Sequence, residues 1–240
     1  MSAVPQQSAP SSWSENFPPS PQWTAKDIPD LQGKVCVVTG GYGGIGFETT
    51  VSGDPVPHTV MLILTYDSQK ALVEHSGKVY ILGRSETAFK QCLDRLSSMS
   101  TSASEYTEPK FIPCDLSSIS STKAAAKHLL SLEPTIHLLF CSAGIAYPPY
   151  GSTSNDGYEL IWHTNVMGHF LLLQSLRPSL ENAFDQSGEK ARVVWTSSFG
   201  LNTAPRGGVD FDSLKVDGNG KSGNGMYRQP LYGQVSDWLG

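Results

Sequence analysis

Five short apolar runs alternate with amphipathic stretches between residues 34 and 198. The runs are rich in β-branched residues and show no polar alternation, which is typical of strands buried on both faces. They cover residues 34–40, 78–83, 110–116, 136–144 and 191–198. Residues 86–99, 121–132 and 158–180 carry apolar positions at helical spacing. Buried strands separated by helices predict a doubly wound α/β fold built on a parallel sheet.

The first 30 residues have a different composition. They contain many Ser and Pro residues and few aliphatic ones, so burial cannot repay the entropy of ordering them. We therefore predict a flexible arm over 1–30 and a single domain over 31–240. A chain of 240 residues that is 39% hydrophobic is long enough for one α/β domain with its own core.

Charge and cysteine content narrow the class of protein. A net charge of −5 and a pI near 5.6 leave no basic surplus for binding nucleic acid. No apolar run approaches the roughly 20 residues of a membrane span, and the N-terminus lacks the pattern of a signal peptide. The four cysteines form no CxxC pair, and three fall in predicted strands. We expect reduced structural thiols, no metal site and a cytoplasmic location.

A glycine-rich turn follows the first predicted strand and precedes a helix. It reads TGGYGGIG over residues 39–46. A cofactor pyrophosphate must approach the N–H groups at the start of a helix, and a Cβ at the nearest points would obstruct it. A flexible turn is the alternative, but this placement favours a dinucleotide site.

This turn resembles that of the short-chain dehydrogenase/reductase family, T-G-x-x-x-G-I-G. The resemblance implies a Rossmann fold and makes Gly40, Gly44, Ile45 and Gly46 cofactor-binding residues. Further family motifs follow in the same order along 34–234. The segments YELIWHTNVMGHFLLL and RVVWTSS are most similar to fungal members related to retinol dehydrogenases.

The ends of later strands carry the other implied cofactor contacts. Arg84 stands where members that use NAD place an acidic residue, and a guanidinium suits a 2′-phosphate, so the resemblance implies NADP(H). A solvated surface arginine is the alternative. Asp115 corresponds to the adenine contact. Ala143 and Gly144 keep the second half of the family's N-N-A-G motif, whereas Cys141 and Ser142 replace amides that would brace this edge.

The reacting groups are implied by the same resemblance. The family uses an Asn, a Ser, a Tyr and a Lys four residues after the Tyr, and Asn165, Ser198 and Tyr232 occupy the first three positions. Tyr232 would also contact the cofactor. Taken alone, Ser198 fits a hydroxyl that satisfies a strand end, and Asn165 an amide bonded to nearby backbone. Ser236 stands where the Lys is expected.

Two segments depart from the family pattern. Deleting 51–69 would restore its spacing between Gly46 and Gly83 and an unbroken helix, and 235–240 replaces the expected sequence after the Tyr. Both begin with Val-Ser. This pair can be encoded by codons that begin with GT, as eukaryotic introns usually do. Our hypothesis is that both are translated introns, which would leave the fold incomplete at its C-terminus. A genuine insertion and a genuine terminus are the alternative.

Together these features predict an NADP(H)-dependent oxidoreductase of a ketone or aldehyde and its alcohol, truncated after Tyr232 and impaired by loss of the Lys. The expected partner is a small carbonyl or alcohol substrate, and self-association is left open. The alternatives are a non-catalytic NADP-binding protein and the non-functional product of a misannotated gene.

Overall fold

A computed structural model describes residues 27–42, 71–99, 107–146, 148–149, 151–196 and 214. Most of the predicted arm over 1–30, the departure over 51–69 and the tail over 235–240 lie outside these ranges.

Five parallel strands form the sheet. They are β1 (Val35–Thr39), β2 (Lys78–Gly83), β3 (Lys110–Pro113), β4 (Leu138–Cys141) and β5 (Arg192–Trp195). Their order is β3-β2-β1-β4-β5, and every pair is parallel. Each strand lies within one of the apolar runs, and the chain reverses its direction of winding at β1. The predicted doubly wound parallel sheet is confirmed.

Three helical segments flank the sheet. They are α1 (Glu86–Met99), α2 (Ile119–Leu132) and α3, which covers 160–187. Within α3, the turn His163–Met167 is π-helical and is followed by the α-helical part Gly168–Ser187. A helical turn over 71–74 matches the end of the helix predicted before β2. All three predicted helices are confirmed, although α2 begins earlier, since the Ser118 hydroxyl accepts from the Ser121 N–H and caps it.

The two faces of the sheet carry separate hydrophobic clusters. On β1, Val35 and Val37 face the cluster formed with α2 and α3. Cys36 and Val38 face the opposite cluster, which includes Phe89 of α1 and residues of the 71–74 turn. Because successive side chains of a strand point to opposite faces, β1 is buried along its whole length. This explains why its sequence shows no polar alternation.

All four cysteines, Cys36, Cys92, Cys114 and Cys141, are buried and free of disulfides. Burial raises the pKa of Cys36, Cys114 and Cys141 to about 12. These thiols pack as small apolar side chains, in agreement with the expectation of reduced structural cysteines.

None of the helices within the described ranges is both long and apolar enough to cross a bilayer.

Candidate functional site

The described candidate residues gather at the carboxyl edge of the sheet. Gly40 follows β1, Arg84 follows β2, Asp115 follows β3, and Ala143 and Gly144 follow β4. In open parallel sheets, ligands bind outside this edge at the point where the winding reverses, here between β1 and β4. The sequence-based set therefore converges on the place where a dinucleotide would bind.

Gly40 brings the first turn against the loop that follows β4. Its φ is +67°, a left-handed conformation that glycine adopts without strain. A Cβ at this position would lie 2.8 Å from the Cα of Ala143. Any other residue would therefore force the two loops apart. The steric role of the motif glycine in this structure is to let the two loops pack closely.

Thr39 holds the same two loops together through its side chain. The fully buried hydroxyl accepts hydrogen bonds from the backbone N–H of Ser142 at 2.9 Å and of Ala143 at 3.0 Å. Its oxygen also lies 2.8 Å from Nε2 of the buried His169 on α3. Sequence reasoning singled out neither Thr39 nor His169 as functional. The adjacent glycine motif was the available signal for Thr39.

Ser142 restores part of the bracing that the sequence led us to expect to be lost. Besides its bonded N–H, its hydroxyl accepts from Thr196 Oγ1 at 3.3 Å. The Thr196 N–H donates to the Cys141 carbonyl at 3.1 Å, and Cys141 itself is buried within β4. Hydroxyl groups thus join β4 to the end of β5 at this edge.

Arg84 lies exposed at the N-terminus of α1. The next residue, Ser85, caps this helix, because its hydroxyl accepts from the Ala88 N–H at 3.1 Å. The Ser85 N–H donates to the Tyr42 hydroxyl at 3.0 Å. Tyr42 comes from the glycine-rich turn, so the turn is joined to the end of β2 beside the arginine. Tyr42 was not among the residues predicted from the sequence to be functional.

Asp115 is held in a compact turn after β3. Its Oδ1 accepts from the Ser117 N–H at 2.9 Å and from the Ser117 hydroxyl at 2.7 Å. Its own N–H donates to the Ser121 hydroxyl at 2.9 Å. The carboxylate is therefore fixed in place at the edge where the resemblance expects an adenine contact.

Asn165 lies in the π-helical turn of α3 and is buried. Its Oδ1 accepts from the Ile145 N–H at 2.9 Å, and its Nδ2 donates to the Ile145 carbonyl at 3.0 Å. This paired contact joins α3 to the loop after β4, rather than to backbone of its own helix. π-Helical turns occur frequently at functional sites, because the extra residue redirects side chains.

The remaining candidates lie outside the described residues. They are Gly44, Ile45 and Gly46 of the turn, and Ser198 and Tyr232 of the reacting set.

Comparison with known sequences finds a family and relatives that match most of the chain. The sequence profile of a family described as short chain dehydrogenase matches residues 34–209. A short-chain dehydrogenase/reductase of Armillaria gallica is 37% identical over 224 residues, which are 92% of this chain and 63% of that protein. An uncharacterized oxidoreductase of Schizosaccharomyces pombe is 30% identical over 217 residues, 90% of this chain and 57% of its own. The chain thus spans less than two thirds of these relatives.

Solved structures share the fold. A putative uncharacterized protein from Mycobacterium paratuberculosis superposes with a TM-score of 0.53 at 23% identity, covering 75% of this chain and 51% of that one. A short-chain dehydrogenase/reductase from Burkholderia phymatum, solved in complex with NAD, gives 0.51 at 23% identity, covering 74% and 53%.

Proposed function

The chain belongs to the short-chain dehydrogenase family, and we propose that it binds NADP(H) as an oxidoreductase for a ketone or aldehyde and the corresponding alcohol. One observation carries the proposal. Gly40 and Ala143 meet at the carboxyl edge of the sheet with no room for a Cβ between them, and Arg84 and Asp115 end the neighbouring strands.

These residues fit the pyrophosphate and the adenosine half of a dinucleotide. The close packing of Gly40 on Ala143 holds the glycine-rich turn against the loop after β4, at the point where the strand order reverses and a pyrophosphate would bind. Arg84 at the start of α1 suits a 2′-phosphate, because a guanidinium can donate two parallel hydrogen bonds to it and the helix N-terminus adds positive potential. Asp115 would contact the adenine. When bound, the cofactor supplies or accepts the hydride.

The proposed reacting groups act on the carbonyl oxygen. Tyr232 would donate the proton to that oxygen, and the Ser198 hydroxyl would polarise it. In the family this asparagine holds a water molecule of the proton relay. Asn165 would take that role from the π-helical turn, which its two hydrogen bonds to Ile145 join to the loop after β4. Ser236 stands where the family has the Lys that lowers the pKa of the tyrosine, so we propose that this chain is impaired in turnover.

Cofactor preference is the first test. We expect the wild-type chain to bind NADPH at least tenfold more tightly than NADH in a fluorescence titration. Arg84→Ala should remove most of this preference while leaving NADH binding nearly unchanged, because a charge-assisted hydrogen bond contributes about 1.5–3 kcal/mol.

Lys90→Ala is the matched control for Arg84→Ala. Lys90 is an exposed cation on α1, the helix that Arg84 precedes, and its ammonium group lies 2.9 Å from the Glu86 carboxylate. Loss of preference in both variants would point to general charge rather than to Arg84. Equal binding of the two cofactors by the wild-type chain would refute the NADP assignment, and binding of neither would refute the dinucleotide site.

A non-catalytic NADP-binding protein is the second candidate. The Ser at position 236 favours it, because the tyrosine would lack the charge that makes it an acid. NADPH binding without carbonyl reduction would support this alternative.

A further inference from the structure

His169 contacts three parts of the fold at the carboxyl edge of the sheet. Its side chain is 1% exposed. Its Nε2 lies 2.8 Å from the Thr39 hydroxyl of β1, and its Nδ1 lies 3.0 Å from the backbone carbonyl oxygen of Asn165. The ring of Trp195, on β5, meets it edge to face with centroids 5.5 Å apart. The imidazole therefore joins α3 to two strands of the sheet.

The partners of the imidazole determine where its proton lies. A carbonyl oxygen can only accept, so Nδ1 must carry the hydrogen in the bond to Asn165. In a neutral imidazole, Nε2 is then an acceptor. Thr39 must donate its hydroxyl proton to His169.

This arrangement saturates the Thr39 hydroxyl. Its single proton goes to His169, and its two lone pairs accept the N–H groups of Ser142 and Ala143. The Phe140 carbonyl lies 3.3 Å from the same hydroxyl and is a second, more distant acceptor. Without His169, the proton would turn toward Phe140, and the lone pairs would rotate with it. The two N–H groups would then lose their aligned acceptor.

We propose that His169 is a positioning residue for the cofactor. By accepting a hydrogen bond from the Thr39 hydroxyl, it fixes the Ser142 and Ala143 amides. It thereby holds the loop after β4 in a geometry that can bind the cofactor. The inference rests on the proposed dinucleotide function. Arg84 and Asp115 lie at the β2 and β3 side of the edge, so the nicotinamide half falls on the β4 side that His169 controls.

A matched pair of substitutions separates this role from simple packing. His169→Gln places an amide oxygen near the position of Nε2 and keeps an acceptor for Thr39. His169→Asn places an amide near Nδ1, keeps a donor for the Asn165 carbonyl and loses the acceptor. Each variant is titrated with NADPH and with adenosine 2′,5′-bisphosphate, which has the adenine and the 2′-phosphate but no nicotinamide.

We expect His169→Asn to bind NADPH about tenfold more weakly, a loss equivalent to one or two hydrogen bonds. Its affinity for adenosine 2′,5′-bisphosphate should stay within about twofold, and His169→Gln should recover most of the NADPH affinity. Equal losses in both variants, or equal losses for both ligands, would show that ring packing is what matters and would overturn the proposal. If the wild-type chain binds neither ligand, the proposed function fails.

The protonation pattern is tested independently of any ligand. In the wild-type chain labelled with ¹⁵N-histidine, His169 should show a protonated Nδ1 and an unprotonated Nε2 that accepts a hydrogen bond. An Nε2-protonated ring would overturn the inference, whatever the binding results.

Discussion

Burial keeps His169 neutral. Desolvation lowers its pKa to about 4, and the hydrogen bond to the Asn165 carbonyl opposes this shift only in part. The groups that face the ring from the sheet, Thr39 on β1 and Trp195 on β5, carry no charge. A protonated ring would offer Thr39 a third donor, although its hydroxyl oxygen already accepts two. The neutral form therefore suits both the solvation and the hydrogen bonding of this position.

A pH dependence of stability follows. An unfolded histidine takes up a proton near pH 6.5, whereas the folded His169 does so near pH 4. Stability is thus complete above pH 6.5 and is lost as the pH falls toward 4. Between pH 7 and pH 5 we expect His169 to lower the free energy of unfolding by about 2 kcal/mol.

Denaturant unfolding at these two pH values measures the loss, and His169→Gln is the control because it has no titrating group. Burial also lowers the pKa of His137 and His163, so the Gln variant should keep a smaller dependence of the same sign. An identical dependence in both proteins would contradict the assignment to His169.

Some individual residues could be recognised from sequence, and others could not. Gly40 and Asn165 belong to motifs with fixed spacing, so their positions followed from the resemblance. The contact between Thr39 and His169 joins residues 130 positions apart. A histidine on an otherwise apolar helix face gives no sign of its partner, which only the packing of α3 on the sheet supplies.

At the level of elements, α3 reaches the site because one of its residues has no side chain. A Cβ on Gly168 would lie 2.3 Å from the carbonyl oxygen of Leu116 and 2.8 Å from its Cβ. Leu116 follows Asp115, so Gly168 allows the helix to pack directly against the turn that holds the expected adenine contact. The π-helical turn ends at the preceding residue, Met167.

Gly168→Ala should therefore destabilise the domain. Alanine in a helix is favoured over glycine by about 1 kcal/mol, but overpacking against backbone costs about 1–3 kcal/mol, occasionally more. The clash is severe and involves a carbonyl oxygen that cannot rotate away, so we expect a net loss of about 2 kcal/mol in denaturant unfolding. Gln174→Ala, at an exposed position on α3, should change stability by less than about 0.5 kcal/mol. A Gly168→Ala variant as stable as the wild type would contradict the packing argument.

Element boundaries were harder to predict than element types. The five strands lay within apolar runs, because each is covered on at least one face. The α-helical part of α3 continues past the predicted end at Leu180 to Ser187, with Pro178 inside it and Gly188 as its left-handed cap. Beyond Leu180, exposed polar residues outnumber apolar ones, so the periodicity weakens although the helix continues.

At the scale of the whole molecule, the doubly wound parallel sheet could be predicted, because buried strands separated by helices are typical of it. The exposure of the last strand, β5, could not be predicted. The exposed and half-buried positions of β5 alternate, and Val194 is 43% exposed. The relatives in the comparison are longer than this chain.

The whole-chain prediction concerns turnover. With Ser236 four residues after Tyr232, no ammonium group from that position can stabilise the tyrosinate, and the hydroxyl stays a weak acid. We expect the chain to bind NADPH but to oxidise it negligibly with a panel of ketones and aldehydes, followed by absorbance. The Armillaria relative, assayed with the same panel, is the positive control. Turnover by this chain at a comparable rate would refute the proposed impairment.

The buried cysteines also bear on how this protein meets oxidants and alkylating reagents. Such reagents attack the thiolate, and the raised pKa of Cys36, Cys114 and Cys141 leaves very little of that form at neutral pH. The sheet and its helices also cover the sulfur atoms. Chemical damage at these positions requires the core to open. The rate at which the thiols react therefore reports how often the native state opens locally.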